Sequence, residues 1–225
     1  MNAATSRTPA KEPTSVKLRL APLLILALLS ACSKQGLLAP GGVYTVRSAC
    51  PIVGIPAGTG DITLFDPANS TNAAAIDVTA TITNLRSTCD DSGSQIASTV
   101  SFDVVGTRRE AGPARQVVLP YFNTVLRGGE QIVAKQVGFV ALNFAEGSLQ
   151  AQTAGQATAR VDASAAALPP EIERKLTAER RPGDPEAAID PMTDPAVRAA
   201  VAQATFEQLI GFQLSEGQLR YNVTR

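Results

Sequence analysis

The side chains that most enzymes use for acid–base chemistry are sparse in this sequence, which contains no histidine among its 225 residues. Histidine is the commonest general base near neutral pH and the commonest transition-metal ligand. Acid–base catalysis by histidine and metal binding by histidine are therefore excluded. A Ser-His-Asp triad therefore cannot be built, and no G-x-S-x-G elbow occurs. The S-x-x-K pattern is also absent, because no serine lies three residues before Lys34, Lys135 or Lys175.

Carboxylates and hydroxyls form two short polar clusters. Residues 90–94 have the sequence Asp-Asp-Ser-Gly-Ser, and Asp61, Asp66 and Asn69 form the second cluster. Calcium prefers such oxygen ligands, but residues 90–94 lack the spacing and the terminal glutamate of an EF-hand loop. We therefore interpret both clusters as polar turns and expect neither a metal nor a cofactor.

An export signal is indicated at the N-terminus. An apolar run from Leu18 to Leu29, broken by Arg19 and Pro22, follows basic residues, and residues 29–32 have the sequence Leu-Ser-Ala-Cys. A positive start, a short apolar stretch and small residues before a cleavage site are typical of a signal peptide. The quartet resembles the lipobox of bacterial lipoprotein precursors. That resemblance implies cleavage before Cys32 and attachment of lipid to this cysteine.

The same resemblance implies a place in the cell. It divides the N-terminus into a signal peptide at 1–31 and a lipidated tether at 32–42. Several acyl chains on Cys32 give stable membrane anchoring, where one chain alone is marginal. Enteric lipoproteins with an aspartate after the cysteine stay in the inner membrane, so Ser33 indicates an outer-membrane anchor facing the periplasm.

Two alternatives to a lipid anchor stay open. The first is an ordinary secretory signal in which Cys32 is incidental. The second is a transmembrane anchor, although the apolar run is about a dozen residues and a spanning helix needs ~20.

Cys50 and Cys89 are the cysteines that remain after the lipobox. An even pair in an oxidising compartment predicts a disulfide, and closing that loop would stabilise the fold by ~4 kcal/mol. The alternative is two separate buried thiols. Since no C-x-x-C motif occurs, thiol–disulfide catalysis is not expected.

The net charge argues against a nucleic-acid partner. The sequence has 20 basic and 20 acidic residues, and residues 1–31 contain four of the basic and one of the acidic ones. The mature chain therefore keeps 16 basic and 19 acidic residues, a net charge near −3. Nucleic-acid binders carry a strong positive footprint instead.

Alternating apolar and polar residues predict a mainly β fold. The clearest alternation runs from Ala75 to Asn84, where Ile76, Val78, Ala80 and Ile82 alternate with aspartate and threonines. Further strands are predicted at 43–49, 61–65, 96–107, 115–126 and 131–144, with one long strand or a strand pair at 148–166. Pro120 predicts an edge or a bulge. We expect an immunoglobulin-like antiparallel β-sandwich over 43–168, with an up-and-down barrel as the alternative.

Residues 169–225 predict a helix-linker-helix-strand extension packed on the sandwich. A helix opens at Pro169-Pro170, and Asp194 and Pro195 provide the N-cap and first residue of a second helix that runs to about Ile210. Alternation at 218–224 predicts a final strand.

The second predicted helix has two apolar faces on a helical wheel. Its bulkier face, with Phe206, Leu209 and Ile210, is a candidate partner surface, since exposed apolar patches often mark interaction sites. The alternative is that other parts of the extension cover this face.

We expect a membrane-anchored envelope lipoprotein that acts as a non-enzymatic structural or protein-interaction module, with another envelope protein as a possible partner. A carboxylate-dependent hydrolase is one alternative and requires two facing carboxylates in a cleft. A carrier of a lipid or other apolar ligand is the other, and requires a tunnel or a large apolar pocket.

Overall fold

The computed structural model describes residues 37–39, 42–44, 47–68, 70–178, 183, 185 and 189–224. The chain forms two units, residues 1–45 and 46–225. The described part of the first unit is an antiparallel hairpin of strands β1 (Leu37–Ala39) and β2 (Gly42–Tyr44). The signal peptide and the lipidation of Cys32 fall outside the described residues.

The first large sheet of the second unit is a four-stranded antiparallel sheet with the order β4-β5-β6-β9. Its strands are β4 (Asp61–Phe65), β5 (Ile76–Asp90), β6 (Gln95–Arg108) and β9 (Gln150–Asp162). The predicted strands at 61–65, 75–84 and 96–107 are confirmed. The segment at 148–166 forms one long strand, β9, which is followed by a short helix over its last four residues.

The second large sheet has the order β3-β10-β7-β8. Its strands are β3 (Ile52–Gly54), β7 (Arg115–Arg127), β8 (Gln131–Phe144) and β10 (Phe206–Phe212). Strands β3 and β10 run parallel, whereas the other pairs are antiparallel. The sheet therefore combines segments from both ends of the second unit.

The core lies between the two sheets. Every second residue of β6 is buried, and Val100 and Val104 are fully buried against Leu142 of β8 and Phe212 of β10. Such alternation arises because successive strand side chains point to opposite faces of a sheet. The predicted mainly β sandwich is confirmed, with helices and a last strand in the C-terminal part, and two separate sheets replace the barrel alternative.

In the described part of the chain, four short α-helices accompany the sheets. They are α1 (Ala163–Ala166), α2 (Pro170–Thr177), α3 (Pro195–Gln203) and α4 (Glu216–Thr224). The predicted start of the second helix is confirmed, since the Asp194 side chain accepts a hydrogen bond of 2.9 Å from the backbone N–H of Ala196.

The predicted helix from Pro195 to about Ile210 is wrong beyond Gln203. The next residues form β10, which pairs along its whole length with Tyr121–Arg127 of β7. Its alternate residues Phe206 and Ile210 are buried in the core. The helical wheel combines a helix, which repeats every 3.6 residues, with a strand, which repeats every two residues. This explains why it shows two apolar faces.

Two arginines help to end α3. The guanidinium of Arg127 donates to the carbonyl oxygen of Gln203 at 2.6 Å, and that of Arg47 donates to the carbonyl oxygen of Ala204 at 2.5 Å. Cations at a helix C-terminus satisfy carbonyls that lack partners in the helix and complement its dipole. Burial lowers the pKa of Arg47.

The predicted final strand at 218–224 is also wrong, because this segment forms α4. The Ser215 hydroxyl accepts from the N–H of Gln218, and the Gln218 side chain accepts from the N–H of Ser215 at 2.9 Å. This reciprocal capping box starts a helix. Asn222 then donates to the carbonyl oxygens of Gly58 and Asp61.

Three further boundaries differ from prediction. The predicted strand at 43–49 is divided, with β2 ending at Tyr44 and no regular structure at 47–49. Strand β3 lies in the segment 51–60, for which no strand is predicted above, because its short apolar run pairs with β10. Since β10 lies between β3 and β7, residues 169–225 complete the sandwich in addition to packing on it.

A buried arginine forms hydrogen bonds with two loops at one end of the sandwich. The guanidinium of Arg108 donates to four carbonyl oxygens, those of Gly112, Pro113, Ala145 and Ser148, at 2.6 to 3.1 Å. It also lies over the ring of Phe144 at 5.4 Å. These contacts satisfy the buried donors and connect the β6–β7 loop with the β8–β9 loop.

A disulfide joins the two sheets at another place. Cys50, just before β3, is bonded to Cys89 of β5, as the sequence predicted. Strand β3 has only three paired residues in its sheet. The cross-link therefore attaches the shortest strand of the sandwich to one of the longest.

Replacing both cysteines, Cys50→Ala with Cys89→Ala, is expected to lower the free energy of unfolding. For a sequence separation of 39 residues, the chain-entropy model gives a loss of ~4 kcal/mol. Urea unfolding of the purified protein measures this loss of unfolding free energy. The single variant Cys50→Ala is the matched control and should lose a similar free energy. A loss below ~1 kcal/mol in the double variant would contradict this role.

Candidate docking surface

The outer face of the β3-β10-β7-β8 sheet carries several apolar side chains, which we call the apolar face. On β7, Val117 and Leu119 are buried in the core, so the alternate residues lie on the outer side. The apolar face consists of Ile52, Val118, Pro120, Phe122, Val137, Phe139 and Leu209.

Strand pairing brings these side chains together. Phe122 is paired with Val137 and Pro120 with Phe139 across β7 and β8. Directly paired residues on one face have Cβ atoms about 5 Å apart. The exposed fractions are 53% for Val118, 50% for Val137, 69% for Phe139 and 62% for Ile52. The pairing thus produces an exposed apolar patch that crosses several strands.

Phe122 forms the centre of the apolar face. A Cβ on Gly211 of β10 would lie 2.7 Å from its ring, so the glycine leaves room for the aromatic side chain. The Lys135 ammonium lies 5.7 Å from the centre of the same ring, within cation–π range. Lys135 therefore lies on the apolar face and partly covers Phe122.

The N-terminal half of β8 is exposed on both sides. Residues 131–137 are all exposed, including Ala134 and Gln136 on the side opposite Val137. Val140 and Leu142, farther along the strand, are buried between the sheets. The first half of β8 therefore extends beyond the cover that the opposing sheet provides.

An aromatic pair fills the sandwich where β8 loses this cover. The Tyr121 ring lies over Gly138 of β8 and the Phe102 ring over Gly155 of β9, and the two rings meet edge to face at 5.1 Å. A Cβ at Gly138 would lie 2.5 Å from Tyr121. Burial raises the pKa of Tyr121, and its hydroxyl donates to the Gln156 carbonyl oxygen at 2.9 Å.

The outer face of the opposite sheet is polar. Its exposed positions are mainly threonine, serine and glutamine, with Val105 as a large apolar exception. Its outward residues on β5, β6 and β9 include Thr79, Thr81, Thr83, Thr99, Ser101, Gln152 and Gln156. The two outer faces of one sandwich thus differ in chemistry, which identifies the apolar face as the candidate docking surface.

The structure separates the three residues of the predicted partner surface. Leu209 lies on the apolar face, where a Cβ on Gly54 would contact its side chain at 3.7 Å. Phe206 and Ile210 point into the core, with 5% and 0% exposure, so their assignment to a partner surface is wrong. Strand alternation puts residue 209 opposite residues 206 and 210, whereas the predicted helix had grouped all three.

Sequence reasoning missed most of the apolar face, although a signal was present. Residues 117–122 have the sequence Val-Val-Leu-Pro-Tyr-Phe, and residues 137–142 have the sequence Val-Gly-Phe-Val-Ala-Leu. A strand with one solvated face alternates, whereas unbroken apolar runs are typical of strands covered on both faces. The two runs therefore indicate a second covered face.

Several carboxylates hydrogen-bond to polar side chains nearby. Asp61 accepts from the Thr81 hydroxyl at 2.6 Å, Asp162 accepts from Gln95, and Asp90 accepts from Ser92 in an exposed turn. Within the described residues, no three His, Cys, Asp or Glu side chains lie close enough to hold a metal ion.

No family model, no curated protein and no solved structure matches this chain. In the part of the chain that the structure describes, none of the helices is long and apolar enough to cross a membrane.

An ion pair joins the two sheets beyond the Val118 end of the apolar face. Arg115 of β7 donates two hydrogen bonds to the Asp77 carboxylate of β5, at 2.9 and 2.5 Å. The hydrogen bond from Arg115 is the main cause of the lowered pKa of Asp77, and Asp77 raises the pKa of Arg115.

The lowered pKa of Asp77 predicts a specific pH dependence of stability. The pair stabilises the fold above the pKa of Asp77 in the unfolded chain, and this contribution is lost as pH falls through the lower folded pKa. The pair is partly exposed, so we expect at most about 1 kcal/mol. Urea unfolding at about pH 7 and about pH 3 should show a smaller acid-induced loss in Asp77→Asn than in the parent protein. Equal losses would contradict the assignment.

Proposed function

We propose that this protein is a lipid-anchored module of the bacterial cell envelope that docks a protein partner on its apolar face. The observation that carries the proposal is the contrast between the apolar face and the polar outer face of the opposite sheet. Large exposed apolar patches on soluble domains mark interaction sites, because burying such surface drives association.

The composition of the apolar face favours a protein partner over a lipid surface. Phe139 and Val137 offer rigid side chains that fit pockets in a partner, and Phe122 is the cross-strand neighbour of Val137 in the same patch. Aromatic anchors of this kind dominate binding energy in protein interfaces. Surfaces that bind anionic membranes carry clusters of Lys and Arg, whereas Lys135 is the only basic residue of β8.

The two alternative functions need features that the described residues do not supply. A carboxylate hydrolase needs two facing carboxylates, and Asp61, Asp77 and Asp162 are each hydrogen-bonded to a polar or basic side chain. A carrier needs interior space, and Phe102, Leu142 and other large side chains fill the region between the sheets. Neither alternative is favoured by a specific contact.

The anchoring half of the proposal rests on the lipobox resemblance, and Cys32→Ser tests it. This change removes the thiol that would carry the lipid, so the protein should leave the membrane fraction or accumulate as an uncleaved precursor. Membrane fractionation with mass measurement of the N-terminus distinguishes the results. Normal cleavage together with full membrane association would contradict lipidation at Cys32.

The docking half is tested by Phe139→Lys, with Val105→Lys as the matched control on the polar outer face. Both positions are exposed on strands, so neither change should disturb folding. Crosslinking in membranes identifies the partner, and titration of the purified pair should then show affinity at least tenfold weaker for Phe139→Lys, about 1.4 kcal/mol or more. Equal affinity of the two variants would contradict docking on the apolar face.

A further inference from the structure

Strand β8 forms an open edge of its sheet. It is the last strand in the order β3-β10-β7-β8 and pairs with β7 on one side. Among the described residues, no backbone hydrogen bond joins its outer edge to another segment. An edge strand with unpaired N–H and C=O groups is a template for adding another strand.

The backbone groups that face this edge can be assigned. The N–H of Gln213 donates to the carbonyl oxygen of Pro120 at 2.9 Å, so the carbonyl group of Pro120 points away from β8. Its cross-strand partner Phe139 is then in a non-hydrogen-bonded pair, and its own N–H and C=O point to the open edge. By alternation, the same is true of Val137 and Lys135.

The usual protections of an edge strand are few here. Natural edges carry prolines, charges or bulges, whereas β8 has no proline, no carboxylate and one lysine. Its bulge is at Val133, the residue left over where the pairing with β7 shifts register. The regular stretch exposed at the edge therefore runs from Ala134 to about Val140, and its midpoint is Val137.

We propose that β8 pairs with β8 of a second copy of this chain, antiparallel and centred on Val137. The two four-stranded sheets would then form one eight-stranded sheet across a two-fold axis. The proposal deepens the proposed function, on which it rests, by identifying the edge of the docking surface as the place where two copies meet.

The charge and shape of β8 favour a second copy as the occupant. In the register centred on Val137, Lys135 of one copy lies opposite Phe139 of the other, so the two lysines do not face each other. This repeats the placement of a cation beside an aromatic ring that Lys135 already has with Phe122. At the two-fold axis Val137 of one copy lies opposite Val137 of the other, so apolar residues meet on the same face.

Membrane attachment also favours self-pairing. Two copies anchored to one membrane have a much higher effective concentration than free molecules, so a weak edge contact is enough to associate them. A two-fold axis makes the contact self-complementary and closed, which stops further strand addition at this edge.

The test uses the full chain purified from membranes in two charge variants, Val137→Glu and Val137→Lys. Each variant alone places like charges opposite each other at the two-fold axis, so each should be at least tenfold poorer in dimer than the parent protein. A mixture of the two should regain dimer as a mixed pair. Sedimentation measures the dimer, and differently tagged chains detect mixed pairs.

A second variant, Val137→Pro, removes an N–H that faces the open edge and leaves the pairing with β7 intact, so it should also lose the dimer. Thermal unfolding checks that each variant is folded, with Val105→Glu and Val105→Lys as matched controls.

A monomeric parent protein, or a mixture that fails to recover dimer, overturns self-pairing. If the parent is monomeric yet loses its crosslinked partner in Val137→Pro, the edge binds a partner's strand, and the proposed function survives. If the dimer forms but Phe139→Lys binds the partner normally, docking on the apolar face is contradicted and self-pairing of β8 stands.

Discussion

Burial of one face of β10 holds the second sheet together. The strand lies between β3 and β7, and Phe206, Ile210 and Phe212 point from it into the core. Burying side chains of this size contributes about 1.5–3 kcal/mol each. Without β10, the three-residue strand β3 would lose its pairing partner. The apolar face would also lose Leu209 and the glycine beneath Phe122, so the candidate docking surface depends on this C-terminal strand.

The same strand carries a buried polar residue that fixes its register. Gln208 has 0% exposure and donates to the side-chain oxygen of Asn123 at 3.0 Å, and Asn123 donates to the Thr158 carbonyl oxygen at 3.1 Å. The polar contacts lie where Phe206 and Ile210 pack into two different apolar clusters. Burying an amide without partners is costly. A shift of β10 by one residue would also turn its apolar side chains to the outer face.

The sequence predicts secondary structure well where neighbouring residues determine it, and less well where contacts with distant segments determine it. Alternation in β5 and β6 predicted long half-buried strands, and Asp194 with Pro195 predicted a helix start, because each depends on neighbouring residues. The residues of β10 fitted a helix equally well, and the open position between β3 and β7 decided the outcome. The capping pair of Ser215 and Gln218 was a local signal for α4 that the alternation of Leu219, Tyr221 and Val223 concealed.

The apolar runs on β7 and β8 and the open edge of β8 have a common physical meaning. A strand that is apolar on both faces is stable in water only when something covers its outer face, and a strand with one unpaired edge is satisfied only by solvent or another strand. In β8 both conditions occur in the same residues, around Val137 and Phe139. Edge pairing of two copies leaves the outer face open and joins two such faces side by side. The resulting surface would present two equivalent sites to a partner, which raises the strength of a weak contact without changing any residue of either site.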